Sequence, residues 1–320
     1  MYMEVPRKHM PWVIAFVLAM ILTAGWSTLF SAPADFSSGT LVGIEEGMST
    51  PEIANVLAQN RIIRHPFILR ALLRVSGESN NVQKGTYKFE KPQNIFVIAY
   101  RLVAANYGLP PVRLTFVEGA TVREMALQVT TALPLIRAEE FLAGAKADEG
   151  YLFPDTYFFQ PGATSKSIID TLRANFDKKI ATISTDVVAS GHSLSDIVTM
   201  ASLVEKEART SADRRMIAGI LWNRIDRGMP LQVDAVFGYI FNTATYSPSP
   251  KDLQVSSPYN TYTHIGLPPG PIDNPGLDAL LSAANPTKTN NLFYLTGHDG
   301  LMHYATTYAG HQANLKKYLR

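Results

Sequence analysis

The stretch from Trp12 to Phe30, WVIAFVLAMILTAGWSTLF, contains no charged residue, and no other part of the chain restricts its fold so strongly. About 20 apolar residues in helical form cross the hydrocarbon core of a bilayer. The run is longer than the apolar core of a secretory signal, and SAPADFSSG after it is only a loose match to a cleavage site. An uncleaved transmembrane helix over residues 11–31 is expected. Arg7 and Lys8 precede it, whereas no Lys or Arg follows until Arg61; Asp35, Glu45, Glu46 and Glu52 do. By the positive-inside rule, residues 1–10 stay in the cytoplasm and the remainder is exported. The expectation is a single-pass protein of the cytoplasmic (inner) membrane with its body in the periplasm.

The chain has 320 residues, 46% of them hydrophobic, enough for one large domain or two modest ones. A formal charge of +2 lacks the basic excess of a nucleic-acid groove, so no nucleic-acid partner is expected. There is no cysteine, which excludes disulfides, Cys-ligated zinc and thiol nucleophiles and suits an oxidising compartment. His298 and His303 in GHDGLMH lack a third ligand at a recognisable spacing, so no metal is expected.

The overall expectation is an α+β protein. Residues 32–40, small, polar and Pro-containing, read as a tether. From Leu41 the chain reads strand, helix, helix, strand, with Ser49 as an N-cap, Pro51 just inside the first helix and Gly77 closing the second. NIFVIAYRLVAAN adds a helix and VRLTFVEG a strand. A small α/β module over residues 41–110 follows, and then a larger, mainly helical domain with short β elements over 111–320. Thr121 with Glu124 approximates a capping box. Ser165 to Ile183 is a long amphipathic stretch, and Ser193 caps a helix in which Ile197, Met200, Ala201, Val204 and Ala208 follow helical spacing. A further helix, ADRRMIAGILWNRIDRG, stops at Gly228. Residues 230–290 are rich in turns, Pro and Tyr, and NLFYLTGHDGLMHYATTYAGH reads as a terminal hairpin before a last helix.

Glu205 stands on the rim of that apolar stripe, in the last turn of its helix. Burial and the negative end of the helix dipole disfavour a carboxylate there, a setting that suits a proton donor. Glu207 projects from another face. The competing reading is an i, i+4 ion pair of Glu205 with Arg209, of the kind that stabilises helices by about 0.2–0.5 kcal/mol. The residues alone leave both readings open.

ASLVEKEA, GILWNRIDRGMPLQVDAVFGY, SPYNTYTHIGLPPGPIDNPG and NPTKTNNLFYLTGHDGLMHYATTYAGH, with EGYLFPDTY and TFVEGATV upstream, resemble the YceG-like (MltG) family of endolytic murein transglycosylases. The resemblance covers nearly everything after the apolar span, with its motifs in the family's order. It implies a LysM-like first domain and a catalytic domain that cuts peptidoglycan glycan strands internally, with peptidoglycan synthases as further partners. The first Glu of the family's VEKE motif is its catalytic acid, here Glu205. The family's LQ-Ser/Thr-Asp-Pro stands here as LQVDA, with Val233 and Ala235 in place of the hydroxyl and the proline, while Gln232 and Asp234 are kept.

The implied chemistry needs one carboxyl and no cofactor. Protonated Glu205 would donate to the oxygen between N-acetylmuramic acid C1 and N-acetylglucosamine C4. It would then take the proton of the muramyl C6 hydroxyl, which attacks C1 and leaves a 1,6-anhydro end. Gln232, Asp234, Tyr259, Asn260 and Tyr262 are the candidates for lining the cleft. For Asn260 the alternative is satisfying turn backbone, and for the tyrosines it is packing. Phe153, Asp155 and Tyr157 are expected to be structural. The rival functions are a non-catalytic peptidoglycan-binding or division scaffold, and a muramidase in which Asp234 or another carboxylate activates water.

Overall fold

The computed structural model describes residues 10–45, 47–243 and 246–319; Arg7, Lys8 and Glu46 lie outside these. It divides into two compact units, one of residues 1–112 with 158–163, the other of residues 113–157 with 164–320.

The first unit begins with α1, Met10–Phe30. It is uncapped by charge, exposed along its length, and long and apolar enough to cross a membrane. The order then runs β1 (Thr40–Ile44), α2 (Thr50–Gln59), α3 (Pro66–Val75), β2 (Gly85–Phe89) and α4 (Ile95–Val103). β1 and β2 pair antiparallel, with Val42 opposite Tyr87. Ser49 and Glu52 form a capping box at α2, with Pro51 just inside, and the Asn94 side chain caps α4 by accepting the Val97 N–H. Ile44, Leu57, Leu69, Leu73, Tyr87 and Phe89 meet in one core.

The second unit is mainly helical. β3 (Val112–Thr115) pairs with β4 (Thr156–Phe159), and between them lie α5 (Val122–Ala132) and α6 (Ala138–Ala145). Then come α7 (Ser165–Thr182), α8 (Ser184–Ser190), α9 (Leu194–Glu207) and α10 (Ser211–Asp226). α11 (Ala235–Phe241), α12 (Leu277–Ala284), the β5–β6 hairpin (Phe293–Thr296 with Met302–Ala305) and α13 (Tyr308–Tyr318) complete it. Thr121, Ser193 and Thr210 each accept the N–H three residues on, so the starts of α5, α9 and α10 are set by local chemistry.

α9 departs from the one-sided stripe that its spacing predicts. Every residue from Ile197 to Val204 is buried. α10, α11 and α12 all pack against it. Ser202 Oγ donates to the Thr199 carbonyl at 2.8 Å and accepts the Ile272 N–H at 3.0 Å. α11 and α12 fall inside the stretch that reads as turns. α12, LDALLSAA, is too short for a periodic signal, but burial of Ala279, Leu280 and Ala283 against α9 and α10 holds it. Tertiary packing here supplies what a two-turn segment cannot supply alone.

Candidate active site

Glu205 lies in the last turn of α9 with its side chain only 5% exposed. Its ion-pair partner is not Arg209, which the i, i+4 spacing suggested, but Arg214 on α10. The guanidinium Nη2 lies 2.6 Å from Glu205 Oε1. Thr210 starts α10 immediately after the α9 terminus, and one turn into α10 brings Arg214 back over Glu205. Arg209 lies in the connection and is exposed. Arg214 Nη1 also donates to Asp278 Oδ2 at 2.8 Å, in the first turn of α12. Burial alone would lower the affinity of this guanidinium for its proton. The hydrogen bond to Asp278 and the charges of Glu205, Asp278 and Glu118 outweigh it and raise it.

The second oxygen of Glu205, Oε2, accepts the Gly276 N–H at 2.9 Å, from the N-cap of α12. Both oxygens therefore accept, one from a guanidinium and one from a backbone N–H at the start of a helix.

Asn274 fastens the loop of residues 118–121 to this end of α12. Its Nδ2 donates to the Ala120 carbonyl at 2.9 Å and to Glu149 Oε1 at 3.0 Å, while its Oδ1 accepts the Leu152 N–H at 2.9 Å. Gly119, at φ +75°, follows the fold of the loop over Glu205: a Cβ there would sit 3.4 Å from Glu205 Cγ. Glu149 also accepts the Val122 N–H at 2.9 Å, yet burial pushes its carboxyl up to about 7. Asp273 is fully buried with neither oxygen hydrogen-bonded, and Lys206 Nζ stands 4.0 Å away. Burial raises Asp273 well above the ordinary range, more than the lysine lowers it.

The other candidates form a separate group. Asp234 Oδ1 accepts the Tyr262 hydroxyl at 2.6 Å. Gln232 is exposed, with a left-handed backbone at φ +51°, and its N–H donates to the Thr261 carbonyl. Tyr259 packs on Tyr239, ring centroids 4.9 Å apart. Asn260 is fully buried. Its Nδ2 donates to the Leu253 and Val255 carbonyls at 3.0 Å each, and its Oδ1 accepts the Tyr262 N–H at 3.0 Å, so its amide is spent within the turn. Val233 fills the core, and its N–H donates to Thr261 Oγ1. The Ala235 N–H donates to Glu207, a bond a proline there could not make. Glu207 also accepts the Tyr294 hydroxyl at 3.0 Å, and burial pushes it up to about 7.

Tyr157 and Asp155 act within the scaffold. The Tyr157 hydroxyl donates to the Phe153 carbonyl, and Asp155 accepts from Asn175 and pairs with Lys179. His303 pairs with Asp299 and stacks on Tyr318. Arg214, Asp278, Gly276 and Glu118, which crowd Glu205, escape sequence reasoning. Three of them lie on or beside helices whose meeting depends on α12. Glu118 had one signal, its place in TFVEGATV.

The model of the YceG-like family matches residues 42–317, and the chain belongs to that family. The protein named endolytic murein transglycosylase of Streptococcus pneumoniae strain D39 is 28% identical over 358 residues, covering 96% of this chain and 65% of that protein. The chain thus spans less than two thirds of that relative's length. The Bacillus subtilis protein of the same name is 29% identical, with 92% of this chain and 89% of that protein covered. The crystal structure of a yceG-like protein of Listeria monocytogenes superposes with a TM-score of 0.58 at 27% identity, over 86% of this chain and 98% of that one.

Proposed function

We propose that this chain is a membrane-anchored endolytic transglycosylase that cuts peptidoglycan glycan strands, with Glu205 as its catalytic carboxyl. The observation that carries this is the enclosure of Glu205: a carboxyl at a helix end, 5% exposed, gripped by Arg214 and the Gly276 N–H. The names of the Streptococcus and Bacillus relatives supply the substrate class.

The bond cut is that between N-acetylmuramic acid C1 and N-acetylglucosamine O4. Two proton transfers are required, one to the departing O4 and one from the C6 hydroxyl that attacks C1. A single carboxyl can give and then take. The nucleophile belongs to the substrate, so no bound water need be activated, and its effective concentration is that of an intramolecular group. The product end is a 1,6-anhydro sugar. Asp234, Tyr262, Gln232 and Tyr259 line the glycan path, with the Tyr262 hydroxyl holding Asp234 in place; Asn260 contributes by shaping their turn.

The first unit serves as a LysM-like module. Its β1-α2-α3-β2 order and antiparallel pairing support this. A cavity of about 600 Å³ in this unit is lined by Glu45, Ser49, Asn80 and Gln83 among others. α1 is the single-pass anchor, with the N-terminus in the cytoplasm and the body outside, close to newly made glycan and to the synthases that make it.

Mass spectrometry of products from glycan strands incubated with the whole chain in detergent tests this reading. Internal fragments ending in 1,6-anhydro-muramic acid, absent with Glu205→Gln, are expected. Ordinary reducing ends would assign hydrolysis instead, and full activity of Glu205→Gln would remove Glu205 from the chemistry.

A further inference from the structure

Glu118, in the loop between β3 and α5, is the other carboxyl that reaches the peptide holding Glu205. A Cβ added to Gly276 would lie 2.0 Å from Glu118 Oε1 and 2.2 Å from its Cδ. The N–H of that same Gly276 donates to Glu205 Oε2 at 2.9 Å. One carboxyl accepts from this residue and the other covers its Cα, so glycine is the residue that leaves room for both. The Asn274 bonds described above hold the loop in this position.

The two carboxyls have unlike surroundings. Glu205 has a donor on each oxygen, one of them a guanidinium. Glu118 forms no hydrogen bond or ion pair among the described residues. Glu118 is exposed at the surface and only partly desolvated; that desolvation, and then the charge of Glu205, raise its carboxyl above the ordinary range, while Arg214 on α10 opposes this and Asp278 on α12 adds to it. Two carboxyls beside one glycine peptide, one held by a donor on each oxygen and the other with no donor, can divide the roles of base and acid.

We propose that Glu118 is a second catalytic carboxyl of this site, donating the proton to the departing glycosidic oxygen while Glu205 takes the proton of the C6 hydroxyl. The inference rests on the transglycosylase reading and divides between two groups what one would otherwise do in turn. The C1–O4 bond breaks with its electron pair going to O4, which takes the Glu118 proton. The C6 oxygen bonds to C1 and gives its proton to Glu205. The net change is one proton moved from Glu118 to Glu205, and exchange with water resets both.

The test compares Glu118→Gln and Glu205→Gln, as whole chains in detergent, on two substrates. One is a natural glycan strand. The other is a glycan oligosaccharide whose leaving group at the muramyl C1 is 4-nitrophenolate, which departs without a proton. Glu118→Gln is expected to lose about 10²–10⁴ in kcat on the strand with little change in KM, and to retain near wild-type rates on the nitrophenyl substrate. Glu205→Gln is expected to fail on both, because the C6 hydroxyl still needs a base. Glu118→Gln turning over the strand within about threefold of wild type, or losing both substrates equally, overturns the proposal and leaves Glu205 intact. Retained activity of Glu205→Gln would instead remove Glu205 from the chemistry, and reducing rather than anhydro ends from the wild type would overturn the transglycosylase reading. If Glu118→Gln does not fold, the wild-type pH profile decides. A high-pH fall in rate on the strand that is missing with the nitrophenyl substrate supports Glu118 as acid, and the same fall on both excludes it.

Discussion

Arg214 ties Glu205 to Asp278, with Nη2 2.6 Å from Glu205 Oε1 and Nη1 2.8 Å from Asp278 Oδ2. One guanidinium thus fixes the ends of α9 and α12 relative to α10. The fork is needed for this, since an ammonium is a point charge and cannot span both acceptors in one plane.

Arg214→Ala leaves Glu205 enclosed without its cation. Loss of one member of a buried pair costs about 3–5 kcal/mol, and urea unfolding at pH 7 is expected to show a loss of that order together with lost turnover. Arg214→Lys should recover part of the stability and little of the activity. Unchanged unfolding in Arg214→Ala would mean that the pair contributes nothing to holding the site.

Gly276→Ala separates stability from chemistry. The added Cβ meets only the flexible Glu118 side chain, which can swing aside. Stability should change by about 1 kcal/mol, the low end of overpacking costs, because the neighbour that must move is a flexible side chain, whereas turnover on glycan strands should fall. A variant with wild-type turnover would show that the position of Glu118 is immaterial.

Glu207 and Glu149 predict a pH dependence of stability. Burial raises each to about 7 from the ordinary 4.5. The folded state therefore binds more protons than the unfolded chain between those values, and stability falls as pH rises through that window, by up to about 3 kcal/mol for each group, and levels off above it. Glu207→Gln keeps an acceptor for the Tyr294 hydroxyl and should flatten its share of the slope. Urea titrations at pH 5, 6, 7 and 8 read this directly; a stability that rises over the window would contradict it.

Asn260→Ala strips the turn of donors to the Leu253 and Val255 carbonyls and of an acceptor for the Tyr262 N–H. Buried groups left unpaired cost about 1–3 kcal/mol, so the variant should melt lower. Because the same turn sets the Tyr262–Asp234 bond, KM for glycan strands should rise more than kcat falls. An unaltered melting temperature would separate this turn from the stability of the unit.

What sequence alone determined is whatever depends on neighbours along the chain. The charge-free run from Trp12 to Phe30 set α1. Ser49, Thr121 and Ser193 placed helix starts, because a capping side chain reaches only the first turn. The order of strand and helix in the first unit, and the hairpin near the C-terminus, followed from alternation and turn residues. The position of Glu205 at the end of α9 was legible for the same reason. Its partner was not. Arg209 lies at the local spacing, yet Arg214 makes the contact, because the chain reverses between α9 and α10 and only packing decides which side chain returns to Glu205. α12 is too short to announce itself, and it exists because Ala279, Leu280 and Ala283 are buried against α9 and α10. With α12 come Gly276 and Asp278, and against Gly276 lies Glu118, more than 80 residues from Glu205 in sequence. The surroundings of Glu205 are thus a property of long-range packing, where desolvation and opposed charges are set by groups that no local pattern brings together.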